Sequence, residues 1–403
     1  MIDKKMVEFP IIYSTQMARI AIGWGVHETV ADECKKANIK KALITTTGLK
    51  NTGIVDEIKG ILNYGGISTE IYNKLTSNPR DYQIMEAFQV FKQAACDGVV
   101  SVGGGSSHDC GKAIRILEAN NENSINAFNS YVEPPWMSEV QKWNPPRIPQ
   151  IAVNTTAGTG AEATPLAMYL DTKLKSKSSI MMPGVAPTIG LNDPVLMRLM
   201  PENIAAWTGF DALTHAFEGF LARIHNPIST AIMLKQIQMV TENIREFTFN
   251  RMNHIACENM CWAEFMPVAA LMMGGGVGIV HGLGNHIAGL TDCHHGFINA
   301  VISLPAERYN EPAFPDRFAE MAQAMGVDTG DMTKMQAADK WFDEMGRLLV
   351  DLNITVGHLN EQVGLQQKDC KHVVDLYSND IARQGNPRTF NHEAVSKLLE
   401  DML

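Results

Sequence analysis

The stretch GFDALTHAFEGF, residues 209–220, sets Asp211 and His215 four apart in an otherwise apolar helical pattern. At about 3.6 residues per turn the two share one helix face. A buried carboxylate and a buried imidazole each lose hydration, and that cost demands a compensating partner. Downstream, GIVHGLGNHIAGLTDCHHGFINA supplies His281, His286, His294 and His295, so this segment and the Asp211 helix hold five of the twelve histidines. A single histidine on an apolar face is ordinarily a satisfied core residue. Several of them in Gly-rich apolar surroundings, with one carboxylate, point instead to a shared divalent cation. Neutral imidazoles and a carboxylate without thiolate suit Fe²⁺, Zn²⁺ or Mn²⁺.

A second kind of chemistry is written in the first half of the chain. VVSVGGGSSHDCGKAI places Gly103, Gly104, Gly105, Ser106 and Ser107 between a strand pattern and a helix pattern. Glycines allow the backbone to approach a phosphate, and the helix start offers free N–H groups and the positive end of its dipole. NTTAGTGAE repeats the theme with Thr155, Thr156 and Thr159 around Gly158 and Gly160. One such loop reads equally well as a tight turn or a Thr-rich cap. Two at the same edge of one parallel sheet suit a dinucleotide. A cation beside a dinucleotide predicts redox chemistry at an alcohol carbon: the cation lowers the alcohol's pKa, and hydride passes to the nicotinamide.

The elements that must position these residues alternate. KKALITTTG, ISTEIY, DGVVSV and RIPQIAVN read as strands; IVDEIKGILNYGG, DYQIMEAFQVFKQAA and the segment after the glycine loop read as helices. Alternation implies a parallel sheet with right-handed crossovers. Residues 120–149 carry Pro, Asn and Trp with little periodicity, and a long connection with one short helix is expected. From about Pro201 the apolar spacing becomes helical throughout. The expected architecture is α/β plus all-α: an N-terminal Rossmann-like parallel-sheet domain over residues 1–194 and a C-terminal helical, metal-binding domain over 195–403.

Composition narrows the class. The net charge of −10 argues against a nucleic-acid partner, and no segment reads as a membrane span or signal peptide. Seven cysteines without a CxxC pair argue against a disulfide framework and for a reduced, cytoplasmic protein. Cys257 and Cys261, four apart, read as an apolar helix face.

SVGGGSSHDCGKAI, NTTAGTGAEAT, TGFDALTHAFE and VHGLGNHIAGLTDCHHGFINA together resemble, in order, the motifs of iron-containing (group III) alcohol dehydrogenases, over a span from about Ile20 to past residue 390. The resemblance implies metal ligands at Asp211, His215, His281 and His295, with Asp211, His281 and His295 at the centre of catalysis. It implies pyrophosphate binding at Gly103, Gly104, Gly105 and Ser106, with Thr155, Thr156 and Thr159 near the phosphates and nicotinamide ribose, and Lys177 reaching a cofactor ribose. It implies a site in the cleft between the two domains, a small alcohol or aldehyde substrate, and a homo-oligomer, either dimer or decamer.

Three departures from the family pattern bear on function. Asn285 stands where relatives place a histidine four residues after the third ligand; His286 follows one residue later, about 100° away on an intact helix, and only a local bulge would restore a proton relay. Thr47, in LITTTGL, replaces the aspartate that holds the adenosine ribose. No Arg stands near it to hold a 2′-phosphate, so NAD is expected, with NADP the alternative. The glycines of MMGGGVGIV, before His281, would enlarge a pocket they line. Arg80, where relatives have Thr, reads as a surface residue or as an anchor for an anionic aldehyde such as sulfoacetaldehyde. Two other classes are weighed: a dehydroquinate-synthase-like lyase, which needs a Lys/Arg cluster that the residues around Asp211 and His281 lack, and a non-catalytic nucleotide or metal sensor.

Overall fold

The computed structural model describes residues 18–129, 143–223, 225–271 and 276–403. Residues 130–142 of the connection expected between 120 and 149, the start of MMGGGVGIV and the N-terminal segment therefore lie outside the described residues. The described part of that connection holds one 3-10 turn, Ile125–Phe128.

The described residues hold eight strands: β1 Arg19–Ile22, β2 Lys41–Thr45, β3 Ser68–Tyr72, β4 Gly98–Gly103, β5 Gln150–Asn154, β6 Leu166–Asp171, β7 Ser176–Met181 and β8 Ile189–Asn192. Six form one parallel sheet in the order β1-β8-β5-β4-β2-β3. The central strands β4, β5 and β8 are buried throughout, as a sheet covered on both faces requires. Side chains alternate between the faces. Leu43 and Val99 enter a core with Phe88 and Ile114, while Ile44, Val100, Val153 and Leu191 enter another with Val30 and Ile58. The helices α1 Val30–Lys36, α2 Ile54–Tyr64, α3 Asp81–Gln93 and α4 Gly105–Asn120 supply those coverings.

β6 and β7 form a separate antiparallel hairpin that the sequence did not reveal. Its strands are buried yet carry Ser176, Lys177, Ser178 and Ser179, so no apolar alternation marks them.

Among the described residues beyond β8 every regular element is helical. The long helices are α5 Glu202–Leu221, α6 Pro227–Phe249, α7 His254–Leu271, α8 Ile279–Thr291, α9 His295–Asn310, α10 Pro315–Ala324, α11 Lys334–Asp351, α12 Gln367–Tyr377 and α13 His392–Glu400. One continuous core, including Phe217, Phe318, Trp341 and Tyr377, unites them. The expected architecture, a Rossmann-like parallel sheet followed by a helical region, is the one observed. Cys257 and Cys261 lie buried in the helical core, and all seven cysteines are free thiols. Among the described residues no helix is long and apolar enough to cross a membrane.

Candidate metal and dinucleotide site

The sheet brings the glycine loop, the threonine loop and Thr47 to one edge. Strand register sets Thr45 opposite Ser101, Gly103 opposite Asn154, and Asn154 opposite Asn192. Thr47 follows β2, Gly103 to Ser106 end β4 and open α4, and Thr155 to Thr159 follow β5. The chain order reverses between β2 and β4, which is where open parallel sheets bind ligands.

Gly103 has φ +143°, a conformation that favours glycine, and a Cβ there would overlap Ser107 Oγ. The N-terminus of α4 has no side-chain cap, and the N–H groups and dipole of its first turn suit an anion. Gly104 and Gly105 have a further reason to be glycine. A Cβ on Gly104 would lie 2.7 Å from Thr156 Cγ2, and one on Gly105 would lie 3.1 Å from Thr159 Oγ1. The two loops thus pack against each other, and a side chain at 104 meets Thr156 before any phosphate. Thr155 joins them by donating its N–H to the Gly103 carbonyl at 3.1 Å.

Lys177 projects from β7 in a buried position. Burial pulls its ammonium down to about 8, and Asp211 is the foremost of the carboxylates and thiols that oppose this. The lysine therefore shares an electrostatic environment with the metal-ligand candidates.

Those candidates come from three helices. Asp211 and His215 lie on α5, His281 near the start of α8, and His295 opens α9. One ligand atom each from Asp211, His281 and His295 falls within 4.8 Å of the others. His281 Nε2 is 3.7 Å and His295 Nε2 3.6 Å from Asp211 Oδ1. These spacings are too long for hydrogen bonds, but ligand atoms about 2.1 Å from a tetrahedral cation are separated by roughly 3.4 Å. His215 lies outside this triplet, yet its ring centroid is 4.3 Å from that of His281.

The imidazoles are held in the form a cation needs. His215 Nδ1–H donates to the Asp211 carbonyl at 2.9 Å, leaving Nε2 with its lone pair. His281 Nδ1–H donates to Glu218 Oε2 at 2.6 Å, and His281 Nε2 is buried with no partner. The buried His295 Nδ1 also lacks one, while Asn299 Nδ2 donates to Asp211 Oδ1 at 2.8 Å and reaches His295 Nε2 at 3.2 Å. Burial holds two of the rings neutral: the His215 imidazole is pulled down to about 4, with His281 adding to the effect, and His295 lies well below the ordinary range. Orphaned ring nitrogens, a carboxylate and neutral imidazoles are a donor set that fits a divalent cation.

Glycine permits the convergence. A Cβ on Gly296 would overlap the Trp207 carbonyl oxygen and lie 3.2 Å from Asp211 Cβ, so the start of α9 presses directly onto α5. Beside the ligands Trp207 meets His294 and Phe297 at centroid distances of 5.3 and 4.9 Å, an aromatic wall along one side.

Several contributors were not read from sequence. Glu218 continues the Asp211–His215 face by three residues, and Asn299 follows His295 by four; polar residues at helical spacing from a ligand were the available signal. Asn78 Nδ2 donates to the Cys293 carbonyl at 3.1 Å, and Arg80 Nη2 pairs with Asp292 Oδ2 at 2.6 Å. Arg80 also bonds Thr76, so its guanidinium secures the turn before His295. Asn285 is buried in an unbroken α8; no bulge brings His286 to its position. His286 instead joins Ser176 Oγ, 2.7 Å from Nδ1, to Asp380 Oδ2, 3.1 Å from Nε2.

Sequence and fold comparisons place the chain among known proteins. Residues 18–194 match the model "Iron-containing alcohol dehydrogenase", and residues 205–403 match "Fe-containing alcohol dehydrogenase family, C-terminal". The chain is 35% identical to the methanol:N,N-dimethyl-4-nitrosoaniline oxidoreductase of Rhodococcus erythropolis, over 98% of this chain and 96% of that protein. It is 31% identical to the NAD-dependent methanol dehydrogenase of Bacillus methanolicus, over 95% and 97%. The crystal structure of a 1,3-propanediol oxidoreductase superposes with a TM-score of 0.88 at 30% identity, covering 97% of this chain and all of that one. The chain therefore belongs to the iron-containing alcohol dehydrogenase family, and with it to the oxidoreductases that act on alcohol CH–OH groups.

Proposed function

We propose that this chain transfers hydride between NAD(H) and a small primary alcohol or its aldehyde, using Fe²⁺ held by Asp211, His215, His281 and His295. The single observation that carries the reading is the convergence of Asp211, His281 and His295 with buried, partnerless ring nitrogens. Small alcohols are favoured because the names of similar proteins specify methanol and 1,3-propanediol. NAD is favoured over NADP because one similar methanol dehydrogenase is NAD-dependent and the Thr47 loop holds no arginine.

Bound between these side chains, a divalent cation would supply Lewis acidity toward a substrate oxygen, and NAD would supply the hydride acceptor. The chain's own residues do the rest. His215 and His281 keep their Nδ1 protons on the Asp211 carbonyl and on Glu218, so that Nε2 is the acceptor on each. Trp207 and Phe297 exclude water from one flank. Gly103 to Ser106 present the α4 N-terminus to the pyrophosphate, with Thr155, Thr156 and Thr159 opposite. Lys177 brings a cation toward the ribose side while remaining near Asp211. The cleft lies between an N-terminal unit, residues 1–194, and a C-terminal one, residues 195–403. The free thiols fit a cytoplasmic setting, and a dimer or decamer of this chain is expected.

The test is metal analysis of purified protein together with absorbance at 340 nm across short alcohols and aldehydes with NAD and NADP. Asp211→Ala is expected to lose bound metal and activity while retaining NADH binding. Full metal content in that variant would overturn the ligand assignment. Phosphate release from a phosphorylated substrate would favour the lyase; binding without any turnover would favour the sensor.

A further inference from the structure

Glu264 lies on α7 in a run of apolar residues, and it is completely buried. Its carboxyl does not face its own helical core. Oε1 accepts from the Gly160 N–H at 3.0 Å and from Asn154 Nδ2 at 3.1 Å, and Oε2 accepts from Asn192 Nδ2 at 3.1 Å. Asn154 and Asn192 are the paired last residues of β5 and β8. Gly160 belongs to the threonine loop. A side chain of the helical region therefore grips the carboxyl ends of two central strands and the loop between them.

The grip passes on. Asn154 Nδ2 also donates to the Thr156 carbonyl at 2.9 Å, and Asn154 Oδ1 accepts from the Thr156 N–H at 3.1 Å and its hydroxyl at 3.3 Å. Thr156 is the residue against which Gly104 packs. Gly160, at φ +59°, has no room for a side chain beside Val268, one turn after Glu264. Gly158 likewise abuts the Thr208 carbonyl, where a Cβ would stand at 2.6 Å. The loop is clasped between α5 and α7, and Glu264 is its polar fastening.

We propose that Glu264 is the positioning residue by which the helical region sets the threonine loop, and through Thr156 the glycine loop, for cofactor binding. This rests on the reading of those loops as the dinucleotide site. Glu162, also fully buried, shares Asn192 Nδ2 at 2.9 Å, and its Oε2 has no partner. Two adjacent buried carboxyls cannot both carry charge. Burial pushes Glu264 well above the usual carboxylate range, and Glu162 adds to the rise. Glu264 is accordingly the member held neutral. A glutamine of the same shape keeps Oε1 as the acceptor for Gly160 and Asn154 and gives up only the Asn192 contact; an aliphatic side chain keeps none of the three.

The experiment is NADH titration, followed by nicotinamide fluorescence, on the metal-loaded protein and on Glu264→Gln, Glu264→Leu, Asn154→Ala and Gly104→Ala. Metal content, thermal midpoint and kcat at saturating NAD are measured on each. Glu264→Leu is expected to weaken NADH binding about tenfold, as the loss of one buried hydrogen-bonding anchor implies, with metal content kept. Glu264→Gln recovers most of that loss, and Asn154→Ala repeats it should the leucine variant not fold. An affinity within twofold of the parent in the folded leucine variant overturns the proposal. So does a glutamine variant as impaired as the leucine one. Gly104→Ala separates the two levels: if it weakens NADH while Glu264→Leu does not, the positioning role alone fails. If neither does, the loop reading fails as well.

Discussion

Glu218→Gln tests the metal centre at its least obvious support. Glu218 stands one turn beyond His215 on α5, and its carboxylate reaches the start of α8. Oε1 accepts from the Val280 N–H at 2.6 Å; Oε2 accepts from the His281 N–H at 3.3 Å and from His281 Nδ1–H at 2.6 Å. α8 begins at Gly278 without a side-chain cap of its own. One carboxylate thus caps a helix from outside, complements its dipole and fixes the tautomer of a ligand. A glutamine has one acceptor and one donor where three N–H groups point inward. If its NH₂ faces Val280, the cap is lost; if it faces the ring, His281 must move its proton to Nε2, the nitrogen that would bind the cation. Disturbing such an orienting bond costs about 10- to 100-fold in metal affinity, or roughly 1.4–2.7 kcal/mol. Competition with a chromogenic chelator, using Zn²⁺ as the probe, measures this directly, and circular dichroism reports the fold. A folded variant that binds Zn²⁺ within twofold of the parent would refute the reasoning.

Other expectations follow from particular contacts. Gly296→Ala inserts a methyl into the Trp207 carbonyl and must push α9 off α5; metal loss is expected together with a destabilisation of about 1–3 kcal/mol, measured by metal analysis and denaturant titration. His27 sits between Asp193, which it contacts through Nδ1, and Glu57 at 3.2 Å. The Asp193 bond raises its pKa, and Asp193 is lowered in return by His27 despite burial. The His27 contribution is therefore complete below about pH 6.5 and fades as pH rises through the raised value, whereas the Asp193 contribution is lost only in acid. His27→Gln should lower the thermal midpoint more at pH 5.5 than at pH 9.5; an equal drop at both would contradict the ion pair. His108 is fully buried, its Nδ1 2.9 Å from Ser101 Oγ, and burial, then Lys112, pulls it down to about 3. The unfolded chain takes up that proton first, so stability falls with pH below about 6.5 by up to about 1.4 kcal/mol per pH unit. His108→Asn should flatten this limb between pH 6 and pH 4, as read from urea midpoints.

How far the sequence could be read depended on whether a residue's partner lay nearby in the chain. Asp211 and His215 share a helix face, and the glycine loop joins a strand to a helix; both are local patterns, and local spacing exposes them. The strands β2 to β5 were legible because their apolar runs end in glycine or polar turns. β1 and β8 were not, since each spans only four residues, and β6 and β7 were hidden by buried serines and a buried lysine whose partners are distant. Nothing in the sequence around Glu264 marks it, because the groups that donate to its carboxyl stand 72 to 110 residues away. Arg80 was read as a surface residue or an anion anchor for the same reason: Asp292 is 212 residues distant.

Those distant contacts run both ways between the two halves, and this bears on how such an enzyme keeps two ligand sites in register. Arg80 and Asn78, from the sheet half, secure Asp292 and Cys293, the residues that lead into His295. Glu264, from the helical half, secures Gly160, Asn154 and Asn192 at the edge of the sheet. Each half therefore holds the other's functional loop. Hydride transfer demands a near-attack geometry in which an error of about 1 Å costs about 100-fold in rate. A single hinge-like contact would leave that distance free to vary. Reciprocal fastenings between the two halves constrain it, because the threonine loop cannot shift without pulling α7, and the turn before His295 cannot shift without pulling the Asn78–Arg80 segment.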